Sequence, residues 1–183
     1  MDRIIILPGI GGSDKDHWQT HWQAEDAAFT RFEPDSWDAP DLADWMRALD
    51  AAVIASDVPP VLVAHSLACL LVAHWQAASS LAVAGAMLVA VPDARGAAFP
   101  LEAASFADPP VSRFRFPSVI IASGNDPYGT ADYSRMRASQ WGSWLIDAGE
   151  LGHINAGSGL GAWPEGRAML QEFLTEAVMV VRN

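Results

Sequence analysis

The sequence predicts an α/β fold in which helices cover both faces of a mostly parallel sheet. Two observations carry this. Six short runs rich in β-formers recur along the chain, and most are unbroken apolar stretches rather than alternating ones. Strands buried on both faces of a parallel sheet read that way, whereas half-exposed strands alternate. Between the runs lie helical patterns with capping residues at their starts. Strand–helix alternation of this kind winds right-handedly into a doubly wound sheet.

The first run, Arg3–Leu7, leads into the loop Gly9-Ile10-Gly11-Gly12-Ser13. A helix is predicted over His17–Ala27, with Ser13-Asp14 as capping residues. The second run, Thr30–Phe32, is the least distinct. Pro40-Asp41 then opens a helix over Leu42–Ala55. The third run, Val61–Ala64, passes through His65-Ser66 into a helix over Leu67–Ala78. Ala86–Val91 is the fourth run and Ser118–Ala122 the fifth, the latter followed by Asn125-Asp126-Pro127. A helix over Ala131–Trp141 follows Gly129-Thr130, Trp144–Ile146 is the sixth run, and a last helix over Gly166–Val178 follows Trp163-Pro164.

The segment Pro92–Pro117 breaks this rhythm, with five of the chain's 12 prolines. A loop this long inside a compact domain is usually functional or partly helical. One short helix is expected over Phe99–Phe106, and the segment as a whole is expected to form a small cover over a site.

Composition narrows the function classes. With 183 residues, about half of them hydrophobic, the chain reads as one ordered domain over 1–183. A domain of this size buries roughly 70% of its unfolded surface, so a full core is attainable. Asp and Glu number 22 against 11 Lys and Arg, the net charge is −11, and Lys15 is the only lysine. That balance disfavours nucleic acid and anionic membrane surfaces as partners. Cys69 is the single cysteine, so no internal disulfide forms and no Cys/His metal spacing exists. No metal site is expected. The short start Met1-Asp2-Arg3 before Ile4-Ile5-Ile6-Leu7 does not read as a signal peptide, and no apolar run approaches the roughly 20 residues of a membrane span. A cytoplasmic protein is the expectation. Oligomeric state is not legible.

In an open α/β sheet, ligands bind beyond the carboxyl ends of the strands. The polar residues placed there are the first glycine loop, Ser66 after the third run, Asp93 after the fourth, Asn125-Asp126 after the fifth and His153 after the sixth. A serine hydroxyl is a weak nucleophile unless a base takes its proton. His153 is the candidate base, Asp126 the acid that would orient it, and Ser66 the nucleophile, in the chain order Ser…Asp…His of α/β-hydrolases. Asp93 is the rival acid. The N–H groups of Leu67, at the helix start, and of Ile10, in the glycine loop, are the candidate oxyanion donors. Gly9, His17, Trp18, His65 and Tyr128 are candidate pocket residues.

Each residue also has a plainer reading. Ser66 could serve only as a helix N-cap, Asp126 as a turn residue in Asn-Asp-Pro, and His153 as a loop cap. His17 and His21 lie four apart on one helix, but no third metal ligand is near in sequence. Trp18 and Trp22 could pack in the core rather than line a pocket. His74 and Cys69 read as satisfied packing residues. The glycine loop lacks a third glycine in register, so it does not match a dinucleotide-binding turn.

Taken together, the motifs resemble the retinoblastoma-binding-protein/YdeN-like group of small serine hydrolases within the α/β-hydrolase superfamily. The matching stretches are Leu7-Pro8-Gly9…Ser13…His17-Trp18…Trp22, Ala64-His65-Ser66-Leu67-Ala68-Cys69, Ala122-Ser123-Gly124-Asn125-Asp126-Pro127-Tyr128, Trp141-Gly142, and Gly152-His153-Ile154-Asn155…Ser158-Gly159…Trp163-Pro164. They span nearly the whole chain in order. The resemblance implies a three-layer α/β-hydrolase sandwich with a six-stranded sheet of order 2-1-3-4-5-6 and little or no cap. It implies Ser66 as nucleophile, Asp126 as acid and His153 as base, no cofactor, and a small ester, or an amide, as substrate.

One departure stands out. The general Gly-x-Ser-x-Gly elbow has Ala64 and Ala68 at its glycine positions here. Alanine is small but resists positive φ, so the elbow is where strain or slow turnover is expected. Two other functions fit the composition: a non-catalytic protein-binding module using exposed tryptophans or the Pro92–Pro117 segment, and a flavodoxin-like nucleotide binder.

Overall fold

In a computed structural model, residues 3–181 are described, and side-chain surroundings for 3–176. Six strands form one parallel sheet: β1 (Ile4–Leu7), β2 (Phe29–Arg31), β3 (Val61–His65), β4 (Gly85–Val89), β5 (Ser118–Ala122) and β6 (Trp144–Asp147). Their spatial order is β2-β1-β3-β4-β5-β6, and every neighbouring pair is parallel. The register aligns Leu7 with Ala64 and His65 with Val89, so the β1 and β3 ends lie side by side.

Strands β1, β3, β4 and β5 are buried along their whole length, which is why they read as unbroken apolar runs. Alternate residues still part to opposite faces. Ile5, Leu7, Leu62, Ala64, Leu88 and Ile120 join one core with Trp45, Trp75 and Trp141. Ile4, Ile6, Val63, Met87, Val89 and Ile121 join another with Trp18, Trp22 and Trp163. The first core belongs to α2 (Leu42–Ile54), α3 (Leu67–Ala78) and α4 (Ala131–Trp141), the second to α1 (Trp18–Glu25) and α5 (Pro164–Val181). The result is a three-layer α/β-hydrolase sandwich. Trp144 on the edge strand β6 is 41% exposed, but six of the eight tryptophans are fully buried, which removes most of the aromatic surface that the binding-module reading would use.

Local chemistry sets the helix starts. Asp41 accepts from the Asp44 N–H at 2.9 Å, and Thr130 from the Tyr133 N–H at 3.1 Å. Helix α1 differs from expectation. Its N-cap is His17, whose Nδ1 accepts from the Gln19 N–H at 3.2 Å, while Ser13 and Asp14 stay in the preceding loop. An imidazole nitrogen can satisfy the same orphan donor that a hydroxyl or carboxylate would.

The long loop after β4 forms a 3-10 turn over Leu101–Phe106. It is fastened from below. His74 donates Nε2–H to the Phe106 carbonyl at 3.1 Å, Gln76 donates to Ser112 Oγ at 3.0 Å, and Trp141 donates Nε1–H to the Pro110 carbonyl at 2.8 Å.

Trp45 meets Phe32, Trp37 and Phe106 edge-on with no exposed surface. Trp45→Ala is expected to cost about 3–5 kcal/mol in urea unfolding. A loss under about 1 kcal/mol would contradict the packing described for this face.

Candidate active site

Ser66 is the one residue between β3 and α3, and its backbone has φ +55° and ψ −124°. A non-glycine residue held there costs of order 1–3 kcal/mol, so its surroundings must over-determine it. They do. The Ser66 N–H donates to the Val89 carbonyl at 2.9 Å, and the Cys69 N–H donates to the Ser66 carbonyl at 2.9 Å. Ala64 and Ala68 are fully buried, and neither has positive φ. The strain expected at the alanines falls on the serine itself. What the flanking positions require is small size, which alanine meets.

The Ser66 side chain does not cap α3. Its Oγ lies 2.8 Å from Nε2 of His153 instead. The other ring nitrogen, Nδ1, faces both carboxylate oxygens of Asp126, at 2.9 and 3.0 Å. A carboxylate only accepts, so Nδ1 carries the ring proton and Nε2 is left to accept from the Ser66 hydroxyl. Asp126 is 8% exposed, and its Oδ1 also accepts the Tyr128 N–H at 2.9 Å. The Tyr128 ring centroid lies 4.4 Å from that of His153. Asp93, the rival acid, accepts the Arg95 N–H two residues on, within its own turn.

The glycine loop after β1 presses against the same elbow. A Cβ added at Gly9 would stand 3.0 Å from Ser66 Cβ, 3.2 Å from the His65 carbonyl oxygen and 3.5 Å from the Leu67 nitrogen. A side chain here would force the elbow to give by a few tenths of an ångström. Among the described residues, no protein acceptor takes the N–H of Ile10 or of Leu67.

A cleft of about 570 Å³ opens over these groups. Of the candidate pocket residues, Gly9, His17, His65 and Tyr128 line it, together with Ile10, Ser66, Leu67 and His153. Trp18 does not. It is 1% exposed and packs on Trp22 and Trp163, because helix spacing turns it toward the sheet while the N-cap His17 faces the loop. Pro92, Ala98, Phe99, Pro100 and Glu102 form the far wall, so the proline-rich segment borders the cleft. Gly11, Ser13, Asp14, Asn155, Ala156 and Gly157 complete the lining, and none of them was a candidate pocket residue. They sit in loops whose place depends on long-range pairing. Asp14 and Glu102 are the only Asp, Glu, Lys or Arg side chains in the lining. Among the described residues, no three His, Cys, Asp or Glu side chains are grouped as a metal site.

Two further histidines, His17 and His65, belong to the cleft lining. Burial pushes His17 down to about 4, helped by Arg31, His153 and His21 and opposed by Asp14. Its Nε2 has no hydrogen-bond partner among the described residues. Burial also holds His65 well below the usual imidazole range, with His17 and His153 adding to the effect. Both are therefore neutral near pH 7.

A family model described as "Serine hydrolase" matches residues 4–172. The chain is 31% identical to a YdeN-like hydrolase from Pectobacterium atrosepticum, with TM-score 0.86 over 96% of this chain and 91% of that one. The ydeN gene product of B. subtilis superposes with TM-score 0.78 at 19% identity, covering 96% and 100% of the two chains. Est1E from Butyrivibrio proteoclasticus, in a structure with ferulic acid bound, superposes with TM-score 0.75 at 14% identity, covering 98% and 90%. A search of curated proteins returns no match.

The buried histidines give a stability prediction. A histidine with a lowered folded value takes up its proton first in the unfolded chain, so for His17 stability falls as pH drops from 6.5 to about 4. His17→Asn keeps a capping acceptor and removes that titration. Its urea midpoint is expected to fall less steeply over this window than that of the wild type. Parallel slopes would contradict a buried, neutral His17.

Proposed function

The chain belongs to the serine hydrolase family, and from that premise we propose that it cleaves small neutral carboxylic esters through an acyl-enzyme on Ser66. The observation that carries this is the unbroken relay from Ser66 Oγ through the His153 ring to Asp126. In this reading His153 Nε2 takes the Ser66 proton as Oγ bonds to the ester carbonyl carbon. The N–H groups of Leu67 and Ile10 receive the oxyanion. His153 then returns the proton to the departing alcohol. Water enters, gives its proton to His153, and attacks the acyl carbon. The acid leaves and Ser66 regains its hydrogen. Asp126 keeps the ring in the required tautomer and stabilises it while it is charged.

Neutral substrates are favoured by the lining. Asp14 and Glu102 put negative charge on the cleft lining, which contains no Lys or Arg. An anionic acyl chain would meet like charge in a cleft of reduced dielectric. Ile10, Phe99, Pro100 and Tyr128 offer apolar surface to an alkyl or aryl group. No described helix is long and apolar enough to cross a membrane.

On a neutral p-nitrophenyl ester, Ser66→Ala is expected to lower kcat by about 10⁴-fold or more, and Asp126→Asn by about 10⁴-fold. A Ser66→Ala rate within tenfold of wild type would overturn the assignment. For charge selection, kcat/KM on a neutral butyrate ester should exceed that on the matching hemisuccinate by about tenfold or more. Glu102→Gln should narrow the gap. Equal rates on the two esters would contradict the proposed substrate class.

A further inference from the structure

We propose that His65 is a positioning residue for this reaction, holding the backbone of His153 so that its imidazole stands over Ser66. This rests on the reading of Ser66 and His153 given above.

Residues 151–154 follow β6 in an irregular path, with φ +60° at Gly152 and +48° at Ile154. The path has no strand partner, and its one internal backbone bond, Ile154 N–H to the Leu151 carbonyl, is long at 3.3 Å. Side chains hold it instead, at least one per residue, and the Ser158 hydroxyl also donates to the Leu151 carbonyl at 2.5 Å. The Leu151 N–H donates to Ser123 Oγ at 2.9 Å, and the Gly152 N–H to Asn125 Oδ1 at 2.6 Å. His65 Nε2 lies 2.9 Å from the His153 carbonyl oxygen, and Trp18 donates Nε1–H to the Ile154 carbonyl at 2.8 Å. Ser123 and Asn125 are tied to each other at 2.9 Å and belong to the loop that carries Asp126.

The His65 bond differs from the others because it closes a ring through the reacting atoms. His65 is joined to Ser66 by a peptide bond. His65 Nε2 reaches the His153 carbonyl, and His153 Nε2 reaches Ser66 Oγ at 2.8 Å. Nucleophile and base are thereby tied through backbone as well as through side chains. A carbonyl oxygen only accepts, so Nε2 of His65 must carry the proton. Burial keeps that ring neutral, with its one proton committed to this bond. The ring has little room to turn, since His17 meets it edge-on at 4.7 Å and the His153 ring lies 5.0 Å away. A side chain without a donor would leave the His153 carbonyl unpaired and the loop free to shift. A displacement near 1 Å at a reacting group costs up to about 10²-fold in rate.

The test compares His65→Gln, which can place an amide N–H near the same point, with His65→Leu, which cannot. His65→Phe replaces the leucine variant if that does not fold. On a neutral p-nitrophenyl ester, loss of the donor should lower kcat about 10–100-fold with KM within about twofold, and His65→Gln should recover most of the loss. The downfield NMR signal of the His153 Nδ1 proton should stay sharp in His65→Gln and broaden in His65→Leu or His65→Phe. Wild-type kcat in the donorless variant, or equal losses in the Gln and donorless variants, would overturn the proposal. Wild-type protein with no turnover would sink the hydrolase reading instead, and the NMR comparison would still decide the positioning role.

Discussion

Strand β3 becomes helix α3 across a single residue, and the left-handed backbone of Ser66 is what makes so short a crossing possible. Its φ of +55° turns the side chain away from the N-cap position, so the hydroxyl stands free of the helix it precedes. The conformation is unfavourable alone. It persists because both neighbours are immovable: every residue of β3 is buried, and nine residues of α3 are buried against the sheet and α2. Packing energy from two cores thus holds a local strain at Ser66. The glycine loop after β1 passes within contact distance of this turn, so that a Cβ at Gly9 would crowd Ser66 and the His65 carbonyl.

The other partners reach the serine because the sheet is parallel. Successive strand ends open on one edge, so loops after β1, β3, β5 and β6 converge there although Ser66 and His153 are 87 positions apart. A parallel sheet delivers residues to the right edge but not to the right tenth of an ångström. That last adjustment falls to polar contacts among the loops. Ser123, Asn125, His65 and Trp18 each satisfy one backbone group of residues 151–154. For the buried Ile154 carbonyl, loss of its partner would cost about 1–3 kcal/mol.

Much of this was legible in the sequence. Apolar runs located β1, β3, β4, β5 and β6, while the weak run Thr30–Phe32 overlaps β2 at only two residues. The positions just past the strand ends included Ser66, Asp126 and His153, whose side chains the structure brings into hydrogen-bond contact, and the loop that carries Gly9 and Ile10. What escaped depended on distance along the chain. His65 reads as a neighbour of the serine, and nothing local shows that its ring meets a carbonyl 88 residues away. Trp18 carries no mark separating a pocket wall from a core, and the second core decided it. The alanines at 64 and 68 pointed to strain through the glycine pattern. The pattern conflates two demands, small size at the flanks and positive φ at the centre, and only the structure shows that the serine alone bears the second.

The account's central claim is that the Ser66 hydroxyl is the activated nucleophile. Treatment of the native protein with a fluorophosphonate, followed by peptide mass analysis, tests it most directly. One phosphonyl group per chain is expected, on Ser66, with ester hydrolysis lost in proportion. Protein that hydrolyses esters while remaining unlabelled, or that is labelled and inactivated at another residue, would contradict it.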